Sequence, residues 1–151
     1  MKRKKKEMEF CENTLKPILE AMPHIEHLKY RHGKMEFGKD FTFSYVNPLN
    51  QRINVGWQAK WGDIKGSSTT LISKIVDQIR TAFGTSYNNK PHDTKLCLNE
   101  LYLVCSGKFT DNAIKIIEDE LERKYNVHFL DGSDIADLRK KSHRPQNKGK
   151  N

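Results

Sequence analysis

The stretch VGWQAKWG, residues 55–62, alternates apolar and polar residues as a strand does, and it places an amide and an ammonium two positions apart. Successive side chains on a strand point to opposite faces, so Val55, Trp57, Ala59 and Trp61 share one face while Gln58 and Lys60 project together from the other. A second alternating stretch, residues 37–46 (FGKDFTFSYV), precedes residues 52–60 and is joined to them by NPLNQ, whose Asn-Pro and Asn-Gln pairs read as a turn. A hairpin turning near Leu49 pairs Phe41 with Trp57, Phe43 with Val55 and Tyr45 with Ile53, which makes one face apolar throughout. The same register sets Asp40 opposite Gln58. A carboxylate, an amide and an amine then converge on one patch.

These groups suit hydrolysis of a phosphodiester by a metal-activated water, which needs oxygen ligands for Mg²⁺, a positioned water and positive charge near the developing phosphorane. Asp40 can supply the anionic ligand, Gln58 Oε1 and the Ala59 carbonyl the remaining protein ligands, and Lys60 the charge that polarises water and offsets phosphate. An amide where a second acid is usual removes one negative charge and leaves more of the task to other carboxylates. Alternation alone reads first as the exposed polar face of an ordinary hairpin. Trp57 and Trp61 read as core indoles before base-stacking ones, and His24, His27 and His32 lack the Cys or Asp pattern of a metal site.

The elements that would position this patch follow from periodicity. Residues 8–22 carry apolar side chains on one helical face, with Pro17 either kinking the helix or lying in its first turn. Residues 25–31 read as a short edge strand. Capping hydroxyls in GSSTT (66–70) precede a helix from Leu71 to Phe83, and TSYNNKPHD (85–93) reads as a loop. A buried strand over 98–105, a helix capped by Thr110, a strand over 126–130 and a helix ending near Lys140 complete the chain. SGKFT, between the strand over 98–105 and its following helix, fits either a phosphate loop or a plain strand-to-helix turn. The sum is a mixed central sheet flanked by helices, an α/β (α+β) domain.

A chain of 151 residues suits one domain. The formal charge of +8 is carried by the ends. Residues 1–6 hold five Lys/Arg and 139–151 hold six, without an acid in either, so the body is slightly acidic. Both ends read as basic, solvated tails, 1–8 before the domain and 141–151 after it as a tail or linker. Within the body, residues 16–95 carry 12 bases against 7 acids and 96–138 carry 4 against 9, which suggests a basic working side and an acidic back. The run Glu118-Asp119-Glu120 with Glu122 reads as a solvated helix face. Cys11, Cys97 and Cys105 are widely spaced and read as core thiols in a reducing compartment. With no apolar run long enough for a membrane span and no signal-peptide pattern, the expectation is a cytoplasmic protein with no membrane partner.

Asp40, GWQAKWG at 56–62, a following helix, LVCSGKFTDNA at 103–113 and VHFLDGSDI at 127–135 together resemble the Mrr-like restriction endonuclease branch of the PD-(D/E)xK nucleases, over roughly residues 9–140. That resemblance implies a restriction-endonuclease-like core and a Mg²⁺-dependent DNA endonuclease, with Mn²⁺ as a substitute. Asp40 then matches the metal-binding aspartate, Gln58 the glutamine this branch uses, and Lys60 the catalytic lysine. Glu12 fits the glutamate of the first helix, with Glu20 the fallback. Where the family has a glycine after its aspartate, this chain has Phe41. Gln78 matches a polar position that reaches DNA or the site, and Lys65, Lys74, Arg80 and Lys108 suit phosphate contacts if they share the cleft's rim. The implied partner is double-stranded DNA. A homodimer would suit cutting of both strands, and fusion to or association with a regulatory or ATPase module would suit the effector domain of a bacterial restriction or anti-phage defence protein. The rival expectation is a nuclease-fold DNA-binding module with weak or no catalysis.

Overall fold

The computed structural model describes residues 2–31, 38–89 and 94–143. In chain order the elements are α1 (Lys2–Phe10), a π-helical turn (Cys11–Leu15), α2 (Lys16–Ala21), β1 (Glu26–Tyr30), β2 (Phe41–Val46), β3 (Arg52–Lys60), α3 (Thr69–Gly84), β4 (Tyr87–Asn89), β5 (Thr94–Leu96), β6 (Glu100–Cys105), α4 (Asp111–Glu120), β7 (Val127–Leu130) and α5 (Gly132–His143). A five-stranded sheet of order β1-β2-β3-β6-β7 forms the middle of the molecule. Its first three strands run antiparallel, and β3, β6 and β7 run parallel. The mixed sheet flanked by helices is the architecture the alternation implied.

The hairpin has the expected register: Phe41 faces Trp57, Phe43 faces Val55 and Tyr45 faces Ile53. These side chains, with Ala59 and Val104, pack against Phe10, Cys11, Leu15, Ile18 and Leu19 of the N-terminal helices and Ile135 of α5. The opposite face carries Leu101, Leu103 and Cys105, covered by Ile72, Ile75, Val76 and Ile79 of α3 and by Ala113 and Ile117 of α4. Gln58 and Lys60 pair with Leu103 and Cys105 in the parallel ladder, so they lie under α3. They are buried, 2% and 6% exposed, and not the solvated hairpin face that alternation alone favours.

Several expectations need correction. Residues 2–8 are not a tail but the first turns of α1. Pro17 stands at the start of α2, where its missing N–H cannot complete the α-helical ladder, and the chain widens just before it into the π turn, with Lys16 N–H bonded to Cys11 O. Within the stretch read as a loop, Tyr87–Asn89 pairs with Thr94–Leu96 as a two-stranded ribbon. Tyr87 is buried there, with the Arg31 guanidinium 4.7 Å above its ring, a contact between distant segments that local pattern does not reveal. Cys97 is exposed, whereas Cys11 and Cys105 are buried. Ser68 precedes α3 without a side-chain cap, while the Thr110 hydroxyl accepts from Ala113 N as expected. Phe37, His32 and residues 144–151 lie outside the described residues. Among the described residues no helix is long and apolar enough to cross a membrane.

Gly38 fixes the approach of the segment before β2 to α3. Its φ is +79°, and a Cβ there would stand 2.5 Å from the Gln78 carbonyl oxygen. Both backbone strain and collision oppose any side chain. Gly38→Ala is expected to cost roughly 1–3 kcal/mol, read as a melting temperature lower by several degrees at about 2–4 °C per kcal/mol for a chain of this size. An unchanged melting temperature would mean the contact is not as close as described.

Candidate active site

Where β3 ends at Lys60, a cleft of about 440 Å³ opens between β3, α3, α1 and the segment entering β2. Gln58, Ala59 and Lys60 line it from β3, Gly38 and Asp40 from the segment entering β2, Leu71, Lys74 and Gln78 from α3, and Arg3, Lys4 and Glu7 from α1. On α3, positions 71, 74 and 78 recur at helical spacing, so one stripe of that helix faces the cleft while the stripe of Ile72, Ile75 and Ile79 enters the core.

Asp40 sits where β2 begins and is held three ways. Its N–H donates to Trp57 O (2.8 Å), its carbonyl accepts from Arg31 N (2.6 Å), and its Oδ2 accepts from Ala59 N (2.6 Å). The carboxylate thus takes the place of a strand backbone beside Ala59, a short charge-assisted bond that orients it toward the end of β3.

Opposite stands Gln78 of α3. Its Oε1 accepts from Lys60 Nζ (2.6 Å) and from Gln58 Nε2 (2.8 Å). A lysine can only donate, so the Gln78 atom it touches is the amide oxygen. Gln58 must then present its nitrogen to that same oxygen. Its own Oε1 consequently points elsewhere, and it is buried without a hydrogen-bond partner among the described residues. A buried amide oxygen left unpaired is costly, and native proteins rarely keep one that has no task.

Burial pushes the Lys60 ammonium below its ordinary pKa, Glu7 and Asp40 oppose that shift, and Lys74 and Arg3 add to it. The cleft therefore gathers three other cationic side chains, Arg3, Lys4 and Lys74, and two carboxylates around one buried amine. All its ligand atoms are oxygens, from Asp40, Glu7 and the Gln58 amide, which is the donor chemistry of a hard divalent cation such as Mg²⁺ or Mn²⁺. The unpaired Gln58 Oε1 fits such an ion. Among the described residues no group of three His, Cys, Asp or Glu side chains comes together, so a cation here would rely on the amide as well as the two acids.

The sequence-derived set is thus brought together in part. Asp40, Gln58, Ala59, Lys60, Lys74 and Gln78 share the cleft. Glu12 does not: it is exposed within the π turn, and Glu20 is exposed on α2. Glu7 stands in that place, three and four residues before the buried Phe10 and Cys11 and so on the inward face of the helix. That spacing was the available signal, hidden by the basic run around it. Lys65 and Lys108 are exposed on a seam joining the segments after β3 and β6, where Gly107 N bonds Gly62 O and Ile64 N bonds Lys108 O, and neither lines the cleft. Arg80 is also outside it, donating to the Glu120 carbonyl. In SGKFT the N–H groups of Ser106, Gly107, Lys108 and Thr110 bond to Lys60 O, Gly62 O, Asp63 Oδ1 and Ile64 O, so four of the loop's five backbone donors are engaged within the protein, as in a strand-to-helix turn. Trp57 is core, and Trp61 is partly exposed with Lys6 Nζ 5.7 Å from its ring centre.

No protein-family model matches the chain, and no curated protein does. Among solved structures it is similar to MspJI restriction endonuclease in complex with a 27-mer oligonucleotide, at a TM-score of 0.41 and 16% sequence identity, covering 87% of this chain and 26% of that one. The chain thus spans about a quarter of that protein's length.

The Lys60 environment has a measurable cost. Its folded pKa lies below the unfolded value of 10.5, so the native state holds this proton less tightly than the unfolded chain does. Its contribution to stability is therefore unfavourable below the folded pKa and is relieved as pH rises through that value toward 10.5. Lys60→Met keeps the apolar stem, and Gln78 Oε1 keeps its bond from Gln58. The variant is expected to melt a few degrees higher than the parent at pH 7, with the difference shrinking toward pH 10.5. Thermal unfolding at both pH values checks this, and a lower melting temperature at pH 7 would contradict it.

Proposed function

We propose that the cleft at the end of β3 hydrolyses phosphodiester bonds of double-stranded DNA with Mg²⁺, or Mn²⁺ in its place. The observation that carries this reading is that Gln58, whose buried Oε1 has no hydrogen-bond partner among the described residues, lines the same cleft as Asp40 and the buried Lys60. Asp40, Gln58 Oε1, Glu7 and the Ala59 carbonyl would hold the cation, which when bound supplies charge neutralisation for the phosphodiester and acidifies the attacking water.

The chain's own groups do the rest. Lys60, fixed by Gln78, directs its ammonium into the cleft, where it can hold a water or a phosphate oxygen as charge develops. Its lowered pKa makes it a readier proton donor than an exposed lysine. Gln78 acts as a positioning residue by setting both the lysine and the Gln58 amide. Lys74, Arg3 and Lys4 add phosphate contacts at the rim. Cleavage would leave 5′-phosphate and 3′-hydroxyl ends, in keeping with the resemblance to the Mrr-like branch. On this reading the domain is the effector of a bacterial restriction or anti-phage defence protein, working as a homodimer when both strands are cut and governed by a fused or associated regulatory or ATPase module.

One observation favours a second reading, a DNA-binding module without catalysis: around the cleft Arg3, Lys4, Lys60 and Lys74 outnumber Glu7 and Asp40, a balance that attracts a polyanion more than a cation. Incubating the full chain with supercoiled plasmid and Mg²⁺ or Mn²⁺ separates the two. Nicked or linear product is expected from the parent, with rates lower by roughly 10²–10³ in Asp40→Ala and Lys60→Ala. Glu7→Gln should raise the metal concentration needed, and Glu12→Gln should behave as the parent. Salt-sensitive binding with no cutting, unaltered in Asp40→Ala, would support the module instead.

A further inference from the structure

We infer that α1 is a substrate-ordered arm: the nucleic-acid backbone binds its basic first turns against the cleft, and in doing so fixes the helix that delivers Glu7. This rests on the reading of the cleft as a phosphodiester site and adds how that site is completed.

Helix α1 is poorly supported by its own sequence. Lys2, Arg3, Lys4, Lys5 and Lys6 are consecutive, and no acid lies in the first turn, so cations crowd the positive end of the helix dipole. Lys2 and Lys6 are like charges at i, i+4 spacing, which opposes the helix further. The described ion pair within α1, Arg3 to Glu7 at 3.5 Å, joins partly exposed groups and contributes little. Burial does not compensate, since Phe10 at its last position is the buried residue of α1. Beyond that ring, which meets Trp61 edge-on at 5.9 Å, the contact of Lys6 with Trp61 is the other tie described.

Yet this helix forms one wall of the cleft. Arg3 and Lys4 face the same space as Lys74 of α3, and Glu7 lines that cleft together with Lys60 and Asp40. A second observation points to a ligand in that space: among the described residues, the buried Oε1 of the cleft residue Gln58 has no hydrogen-bond partner. A phosphate backbone crossing the cleft would supply the negative charge that the first turns of α1 lack, accepting from Arg3 and Lys4 on one side and Lys74 on the other. The cationic N-terminal turns would then be stabilised as a helix, and Glu7 would be held beside Asp40. Backbone binding and completion of the acid pair become one event, so a chain of phosphates is favoured over a single nucleotide.

The test uses the full chain with a short duplex in EDTA, where binding proceeds without divalent cation, followed by hydrogen exchange of residues 2–9. Exchange is expected to slow at least tenfold on adding duplex. Arg3→Gln with Lys4→Gln, which keeps helix propensity, should weaken binding about tenfold near 0.1 M salt and lower the log–log salt slope by about two. Lys5→Gln, outside the cleft lining, should bind within about twofold of the parent. Unchanged exchange with duplex bound, a parental salt slope in the double variant, or equal protection by anionic lipid vesicles would overturn the inference. Plasmid cleavage in Mg²⁺ is read in parallel. Cutting without protection of residues 2–9 defeats the arm alone, and protection without cutting defeats the hydrolytic reading while the arm stands.

Discussion

One oxygen atom organises the centre of this molecule. Gln78 Oε1 accepts from both Gln58 and Lys60, and that shared bond ties α3 to the middle strand of the sheet. Two polar side chains can lie buried on β3 because α3 brings an acceptor to them, and α3 can come that close because Gly38 has no side chain facing the Gln78 carbonyl. The cost of the arrangement is local: a desolvated lysine and an amide oxygen that has no donor among the described residues. A protein selected only for stability would fill this position with apolar residues. Retaining the polar set keeps Gln58, Asp40 and Lys60 lining one cleft.

The sheet supplies the precision. Asp40 is bonded through its own N–H, carbonyl and carboxylate to Trp57, Arg31 and Ala59, so its direction is set by backbone on both sides. On the other face of the same strands, Phe41, Phe43, Val55 and Trp57 pack against the N-terminal helices and α5, which keeps the hairpin in register. A slip of one residue would exchange the two faces and move Gln58 and Lys60 into the apolar layer. The core thus guards the site's geometry from behind.

The hairpin was legible because two independent signals agreed: strict alternation and a turn whose length leaves one register with a continuous apolar face. Asp40, Gln58 and Lys60 could therefore be grouped from the sequence. Their burial could not, because period-two alternation reports which face a side chain takes and says nothing about what covers that face. The ribbon of Tyr87–Asn89 and Thr94–Leu96 was missed for a related reason, since Tyr87 is held by Arg31 from far along the chain. Lys65 and Lys108 were placed by charge alone, and the seam between the segments after β3 and β6 carries them elsewhere. Glu7 was hidden in a run of lysines that composition assigns to a tail, although its spacing to Phe10 and Cys11 marks the buried face of a helix.

The most direct test is a crystal structure grown with Mn²⁺ and examined by anomalous scattering. The account predicts a peak in the cleft with the Asp40 carboxylate and Gln58 Oε1 within about 2.0–2.6 Å, and with Lys60 Nζ still on Gln78. A peak bound elsewhere, or a Gln58 amide turned so that its oxygen accepts from the protein and faces away from Asp40, would contradict it.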